Sequence, residues 1–289
     1  MSDARLYAIV LRLRALRPGA ISLDHGDKAL AALFRTVQAG DPALAKRLHD
    51  ANTSKPYSVG LAHGGVRGKD GAQHFGEGDS ADWRFTLLAE PAFQALLERY
   101  LKDRSLPHVR LGAVPFAVTE VFASGNNHPD SGHTTIEQLH ERWQIAPENV
   151  PDHLTLDFLT PTAFSLGQNK VTKAYRIRSL PDPKTVFSAL RKKWIKLGGR
   201  APDDAFDEWT QRYVEAEPLS LRFQSAYVEN RRLTGFVGRV SFRAYDDTRW
   251  LPFLHLLADA AFWTGVGYQT TSGMGQTRRV AVPASEAAP

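Results

Sequence analysis

The chain has 289 residues, 43% hydrophobic and 23% charged, an ordinary globular composition with enough apolar material for a sizeable core. It has no cysteine, which excludes disulfides, thiolate–metal sites and a cysteine nucleophile, and its formal net charge of +5 suits an anionic partner. Residues Met1–Val10 carry Asp3 and Arg5 without a long apolar run, and nothing approaches the ~20 apolar residues of a membrane span, so the expectation is a cytoplasmic protein with no signal peptide.

Tyr7, Ile9, Leu11 and Leu13 alternate as in a strand. Leu30, Leu33, Phe34 and Val37 then follow helical spacing, with Gly40 predicted as the C-terminal cap. A short second helix begins at once, with Asp41 as its cap, Pro42 in its first turn, and Leu44 and Leu48 as its apolar stripe. Strands are expected at Tyr57–Ala62, Trp83–Leu88 and His108–Phe122, with a helix at Pro91–Leu101. That order, β-α-β-β-α-β, is the signature of a ferredoxin-like fold. Ser124–Glu148 is polar and reads as a linker, with a short helix near Ile136–Trp143. The pattern then recurs. A strand at His153–Phe164 precedes a helix at Thr185–Leu197, a surface helix within Asp203–Glu217, and a hairpin of Leu219–Val228 and Leu233–Tyr245 turning at Glu229–Arg231. In the second hairpin strand Phe236, Val240, Phe242 and Ala244 face one way, and Arg239, Ser241 and Arg243 the other. An apolar helix at Arg249–Trp263 and a strand at Gln276–Val282 close the chain. The predicted architecture is α+β: two tandem ferredoxin-like (RRM-like) domains at 1–124 and 151–283, a linker at 125–150 and a tail at 284–289.

Between the last helix and strand lie Gly265, Gly267, Gly273 and Gly275. A dinucleotide fingerprint needs the reverse order of elements, and a phosphate-binding Walker loop needs Gly-Lys-Ser/Thr, so neither is present. No cofactor is expected. The glycines would let backbone N–H groups approach a phosphodiester, and they equally suit a tight helix-to-strand connection.

This segment resembles the glycine-rich loop of the RAMP superfamily of CRISPR-associated proteins. Within it the chain resembles the sixth Cas protein family, the endoribonucleases that process CRISPR precursor RNA. The run Leu33-Phe34-Arg35, then Asp41–Asp50 and Lys55, is similar to that family's active-site helix pair. The resemblance implies that His49, ending the second helix, is the general acid–base group and that Lys55 assists it. It also implies a hairpin CRISPR repeat RNA as partner and allows other Cas proteins of an effector complex. Phe34 stands where some members carry a tyrosine, and Tyr57 is the possible stand-in.

The chemistry is coherent on the residues alone. If the ribose 2′-hydroxyl attacks the neighbouring phosphate, RNA is cut without metal, and one group must accept the 2′ proton while another protonates the leaving 5′ oxygen. Histidine suits either role. A cation is favoured at the helix end where His49 sits, and Lys55 just beyond could stabilise charge on the phosphorane. A histidine there also commonly does no more than satisfy helix carbonyls. His25, at the start of the preceding helix, is a second candidate or an ordinary loop residue. From Gln168 to Arg200 Lys170, Lys173, Arg176, Arg178, Lys184, Arg191, Lys192, Lys193, Lys196 and Arg200 face one acid, Asp182. Lys192, Lys193 and Lys196 fall off the apolar stripe of their helix and could track phosphates, joined by Arg231, Arg232, Arg239 and Arg243, unless the run is simply a solvated face.

Two other classes compete. A binding module would hold RNA without cutting it. A metallohydrolase could use His63, His74, His128, His133 and His140, but their spacings match no standard zinc motif, so no metal site is assigned. A Ser-His-Asp hydrolase lacks its Gly-x-Ser-x-Gly elbow.

Overall fold

A computed structural model describes residues 5–50, 55–102, 108–228 and 231–280. The chain forms two compact units, one of residues 1–136, 227–232 and 269–273, the other of residues 137–226, 233–268 and 274–289.

The first unit runs β1 (Arg5–Ala15), β2 (Gly19–Ser22), α1 (Gly26–Gly40), α2 (Pro42–Asp50), β3 (Tyr57–Gly64), β4 (Val66–Arg67), β5 (Ala72–Phe75), β6 (Ser80–Leu87), α3 (Glu90–Lys102), β7 (His108–Leu111), β8 (Val114–Phe122) and β9 (Gly132–Thr135). Its main sheet has the order β3-β6-β1-β8-β7, and β9 also pairs with β1. Without β7 and β9, that places the second, third, first and fourth strands of a β-α-β-β-α-β unit side by side, all antiparallel. Tyr7, Ile9, Leu11 and Leu13 alternate onto one face of β1, in one core cluster with Ala29, Leu33 and Val37 of α1, Leu44 and Leu48 of α2, and Leu96 of α3, while Leu6, Ala8 and Val10 are buried on the other face. The helix stripes and strand alternation read from the sequence are therefore the two sides of one core.

The second unit begins within α4 (Ile136–Arg142) and continues with β10 (His153–Thr162), β11 (Phe164–Gln168), β12 (Tyr175–Arg178), α5 (Pro183–Lys196), α6 (Ala205–Tyr213), β13 (Val214–Val228), β14 (Arg231–Ala244), α7 (Leu251–Thr264) and β15 (Thr277–Arg279). Its sheet order, β13-β14-β10-β15, is again second, third, first, fourth. The alternation expected in β14 holds: Phe236, Val240, Phe242 and Ala244 are buried, and Arg239 and Arg243 are exposed. Arg191, 5% exposed, lies in the basic run but pairs with Asp204 and Asp207 and ties α6 to α5. It is not available to a ligand.

Three expectations are corrected. The stretch 125–150 is not a free linker: β9 pairs with Arg5–Ala8 of β1, and the division between units falls after Ile136. Gly40 is not a left-handed cap; a Cβ there would lie 2.1 Å from the Ala95 carbonyl oxygen, so the glycine serves the close approach of α1 to α3. His108–Phe122 is two strands turning at Gly112, φ +57°. The turn at Glu229 and Asn230, the end of the last strand beyond Val280, and the tail lie outside the described residues.

Candidate active site and basic surface

α1 and α2 meet at Asp41. Its side chain accepts from the Leu44 N–H at 2.9 Å, the predicted cap, while its own N–H donates to the Val37 carbonyl. The resulting short α2 ends with His49 exposed to solvent. The Lys55 ammonium turns back onto this helix end and donates to the carbonyls of Leu48 at 3.2 Å and His49 at 2.9 Å. A helix terminus leaves its last carbonyls without intrahelical partners, and here a cation satisfies two of them. The Phe34 ring stands edge-on to the His49 imidazole at 5.7 Å between centroids and to the Tyr57 ring at 5.6 Å. Histidine 49, Lys55, Phe34 and Tyr57 therefore come together. Tyr57 is 5% exposed, and burial pushes its phenol up to about 12. It remains protonated at neutral pH and is unsuited to act as a base.

His25 does not join them. It is 3% exposed, its Nδ1 donates to the Ser22 carbonyl at 2.7 Å, and its Nε2 accepts the Ala62 N–H at 2.9 Å. Burial, the larger effect, holds it below the usual histidine range. Both nitrogens are engaged, so His25 is a structural clamp. It exists because β3 is bulged between Val59 and Ala62, which turns the Ala62 N–H out of the ladder.

The glycine segment is first a packing device. Gly265, Gly267, Gly273 and Gly275 all have φ between +62° and +86°. The N–H groups of Gly265, Val266, Tyr268, Gly273 and Gly275 donate to the carbonyls of Ala261, Gly275, Ala163, Val59 and Pro161. Within the first unit, the Val59 N–H donates to Thr270 and its carbonyl accepts from Gly273, so residues 270–273 pair along the outer edge of β3. The donors of this loop that would cradle a phosphate are thus largely engaged with the protein.

The basic residues separate. Lys192 and Lys196 are exposed. Lys193 instead turns inward and donates to the Thr264 and Gly265 carbonyls at 3.1 Å each, capping α7. Burial, with the charge of Lys196, pushes its ammonium down to about 7. Arg231 and Arg232 are exposed in the first unit, while Arg239 in the second reaches Asp157 at 3.6 Å. Among the described residues, no group of three or more His, Asp or Glu side chains is arranged to hold a metal ion; His74 pairs with Asp70 and His128 lies 3.4 Å from Asp82. The bracing role of Phe34 was missed in the sequence, although its spacing to Leu30 and Val37 placed it on the apolar stripe of α1.

Residues 156–277 match the family described as CRISPR-associated endoribonuclease Cas6. No curated protein matches the chain. Among solved structures, a product complex of Cas6 (TTHB231), a protein of Thermus thermophilus, is 25% identical with a TM-score of 0.77, covering 96% of this chain and 100% of that one. A product complex of a second Cas6 (TTHA0078) is 26% identical with a TM-score of 0.72 and the same coverage. The product of a Cas6-related gene from Pyrococcus furiosus shares the fold, at a TM-score of 0.63 and 11% identity over 96% of this chain and 100% of that one.

Proposed function

We propose that this chain, similar to Cas6 proteins over residues 156–277 and in fold, cuts CRISPR repeat RNA as a metal-independent endoribonuclease. The observation that carries this reading is the setting of His49: exposed at the end of α2, its carbonyl held by Lys55 and its ring braced by Phe34. The ribose 2′ oxygen attacks the adjacent phosphorus, the bond to the 5′ oxygen breaks, the 2′ proton leaves, and the 5′ oxygen gains one. His49 takes one of these two proton transfers. Lys55 positions the turn bearing His49, and its charge favours the extra negative charge of the phosphorane. The ends produced are a 2′,3′-cyclic phosphate and a 5′-hydroxyl.

The test is cleavage of a synthetic CRISPR repeat RNA in EDTA, with His49→Ala alongside and a 2′-deoxy nucleotide at the mapped cut. Wild type should cut the all-ribose RNA only. His49→Ala should lose about 10²- to 10⁴-fold in rate, the usual worth of a general acid–base group, while still binding RNA. Full activity of His49→Ala, or cutting of the 2′-deoxy substrate, would overturn the mechanism.

One observation favours a second reading, an RNA-binding protein that does not cut. Phe34 has no hydroxyl, and the neighbouring phenol of Tyr57 is buried and pushed up to about 12, so neither ring beside His49 supplies a second proton-transfer group. RNA bound tightly and left intact by wild type would select that reading.

A further inference from the structure

A groove of about 690 Å³ lies wholly within the second unit, between α5, β11 and the Gly267–Tyr268 step. Its size falls among those of small-ligand sites, roughly 300–1,000 Å³. The α5 face lining it carries Lys184, Ser188, Ala189 and Lys192. Positions four and eight apart share one helix face, so a lysine stands at each end and two small side chains leave the space between. At a rise of 1.5 Å per residue the two lysine Cα atoms are about 12 Å apart. Lys192 makes no ion pair with a described residue, and Lys184 donates to Gln211 at 2.6 Å. The one acid in the lining, Asp182, is occupied as the α5 cap, accepting from the Thr185 N–H and paired with Arg178 at 3.5 Å.

Phe164, Leu166 and Tyr268 add apolar and aromatic side chains to a second wall of the lining, beside Ser165. Gly267, φ +82°, brings this wall in; a Cβ there would lie 2.4 Å from the Ala163 carbonyl oxygen, which also accepts the Tyr268 N–H at 2.8 Å. A recess lined by both an aromatic ring and an uncommitted cation matches a nucleotide whose base is out of its stack. Duplex RNA keeps its bases stacked inside and meets proteins along its backbone and shallow groove, so it has nothing to insert.

We propose that this groove binds an unpaired nucleotide of the RNA, with its base against Tyr268 and its phosphate at Lys192. The proposal rests on the RNA-processing reading above. Two fluorescently labelled probes separate it from general RNA affinity: an unstructured oligouridine dodecamer and a blunt-ended GC-rich RNA duplex with no unpaired nucleotide. Lys192→Glu and Tyr268→Leu should each weaken dodecamer binding by about tenfold, the scale of one stacked and neutralised nucleotide, and leave the duplex dissociation constant within about twofold. Lys192 is exposed on a helix, so its variant tests the site without a folding change, and circular dichroism should be unaltered. Unchanged dodecamer binding, or equal weakening of both probes, would overturn the proposal. If wild type failed to cut repeat RNA while dodecamer binding still depended on Lys192, the endonuclease reading would fall and the groove would stand.

Discussion

At the scale of single residues, the site separates side chains by what their polar atoms already hold. His25 and His255 are both buried and neutral, yet they are fixed in opposite tautomers. His25 donates through Nδ1 to Ser22 and accepts at Nε2, whereas His255 lies with Nε2 on the Pro151 carbonyl at 2.9 Å and Nδ1 on the Arg279 guanidinium at 2.6 Å. His49, by contrast, is exposed on a helix end. Its place was legible because a helix of this length must end there. The burial of His25 was not, since its partner Ala62 is set by a bulge 37 residues away. Tyr57 gives the sharpest test of the ring cluster. Its phenol is pushed up to about 12 by burial, so it neither takes nor gives a proton near neutral pH. Tyr57→Phe should therefore leave the cleavage rate within about twofold, where removing a proton-transfer group costs ~10²-fold or more. A drop of that larger size in single-turnover cleavage would restore Tyr57 as a catalytic residue.

At the scale of elements, α1 and α5 were legible because each carries an apolar stripe at helical period, and α7 as an apolar run buried on nearly every side. The short hairpins β4–β5 and β11–β12 were not, since their strands of two to five residues are too short to show alternation, nor were strands β2 and β9, since they pair with β5 and β1 far along the chain. The same reason hid the destination of the glycine segment. Its spacing allowed a ligand cradle or a tight connection, and only the pairing of Thr270 and Gly273 with Val59 shows the connection at work. Gly26 makes that packing measurable. It is the first residue of α1, where Gly→Ala normally raises stability by up to ~1 kcal/mol. Here a Cβ would lie 1.9 Å from the Ser272 carbonyl oxygen, a backbone atom of the glycine segment in the same unit. Gly26→Ala should therefore destabilise, by about 1–3 kcal/mol as for other overpacked sites. The readout is the urea midpoint at constant m-value; a midpoint raised by the substitution would mean that residues 269–273 do not pack on α1 as described.

At the scale of the whole molecule, the tandem topology was legible from element order alone, because two runs of β-α-β-β-α-β produce the same strand order twice. The division of the chain was not: residues 227–232 and 269–273 belong to the first unit although the sequence places them deep in the second. Each unit contains one buried, neutral histidine, and this ties stability to pH. Burial lowers His25 in the first unit, and burial together with the charge of Arg279 lowers His255 in the second to about 3. An unfolded histidine titrates near 6.5. Below that pH the unfolded chain binds protons that the folded chain refuses, so stability falls as pH falls, by up to about 1.4 kcal/mol per pH unit for each histidine. For His255 the loss continues until about pH 3. Urea unfolding at pH 7.5, 6 and 5 should show this slope. His255→Gln, which keeps a donor for Pro151 but cannot titrate, should lose stability at pH 7.5 and show a shallower acid slope, by close to one proton between pH 6 and 5. An acid slope equal to that of wild type would mean that His255 takes up its proton in the folded state. The Arg279 guanidinium would then have to release Nδ1, and the contact that closes β15 against α7 would be broken well above pH 5.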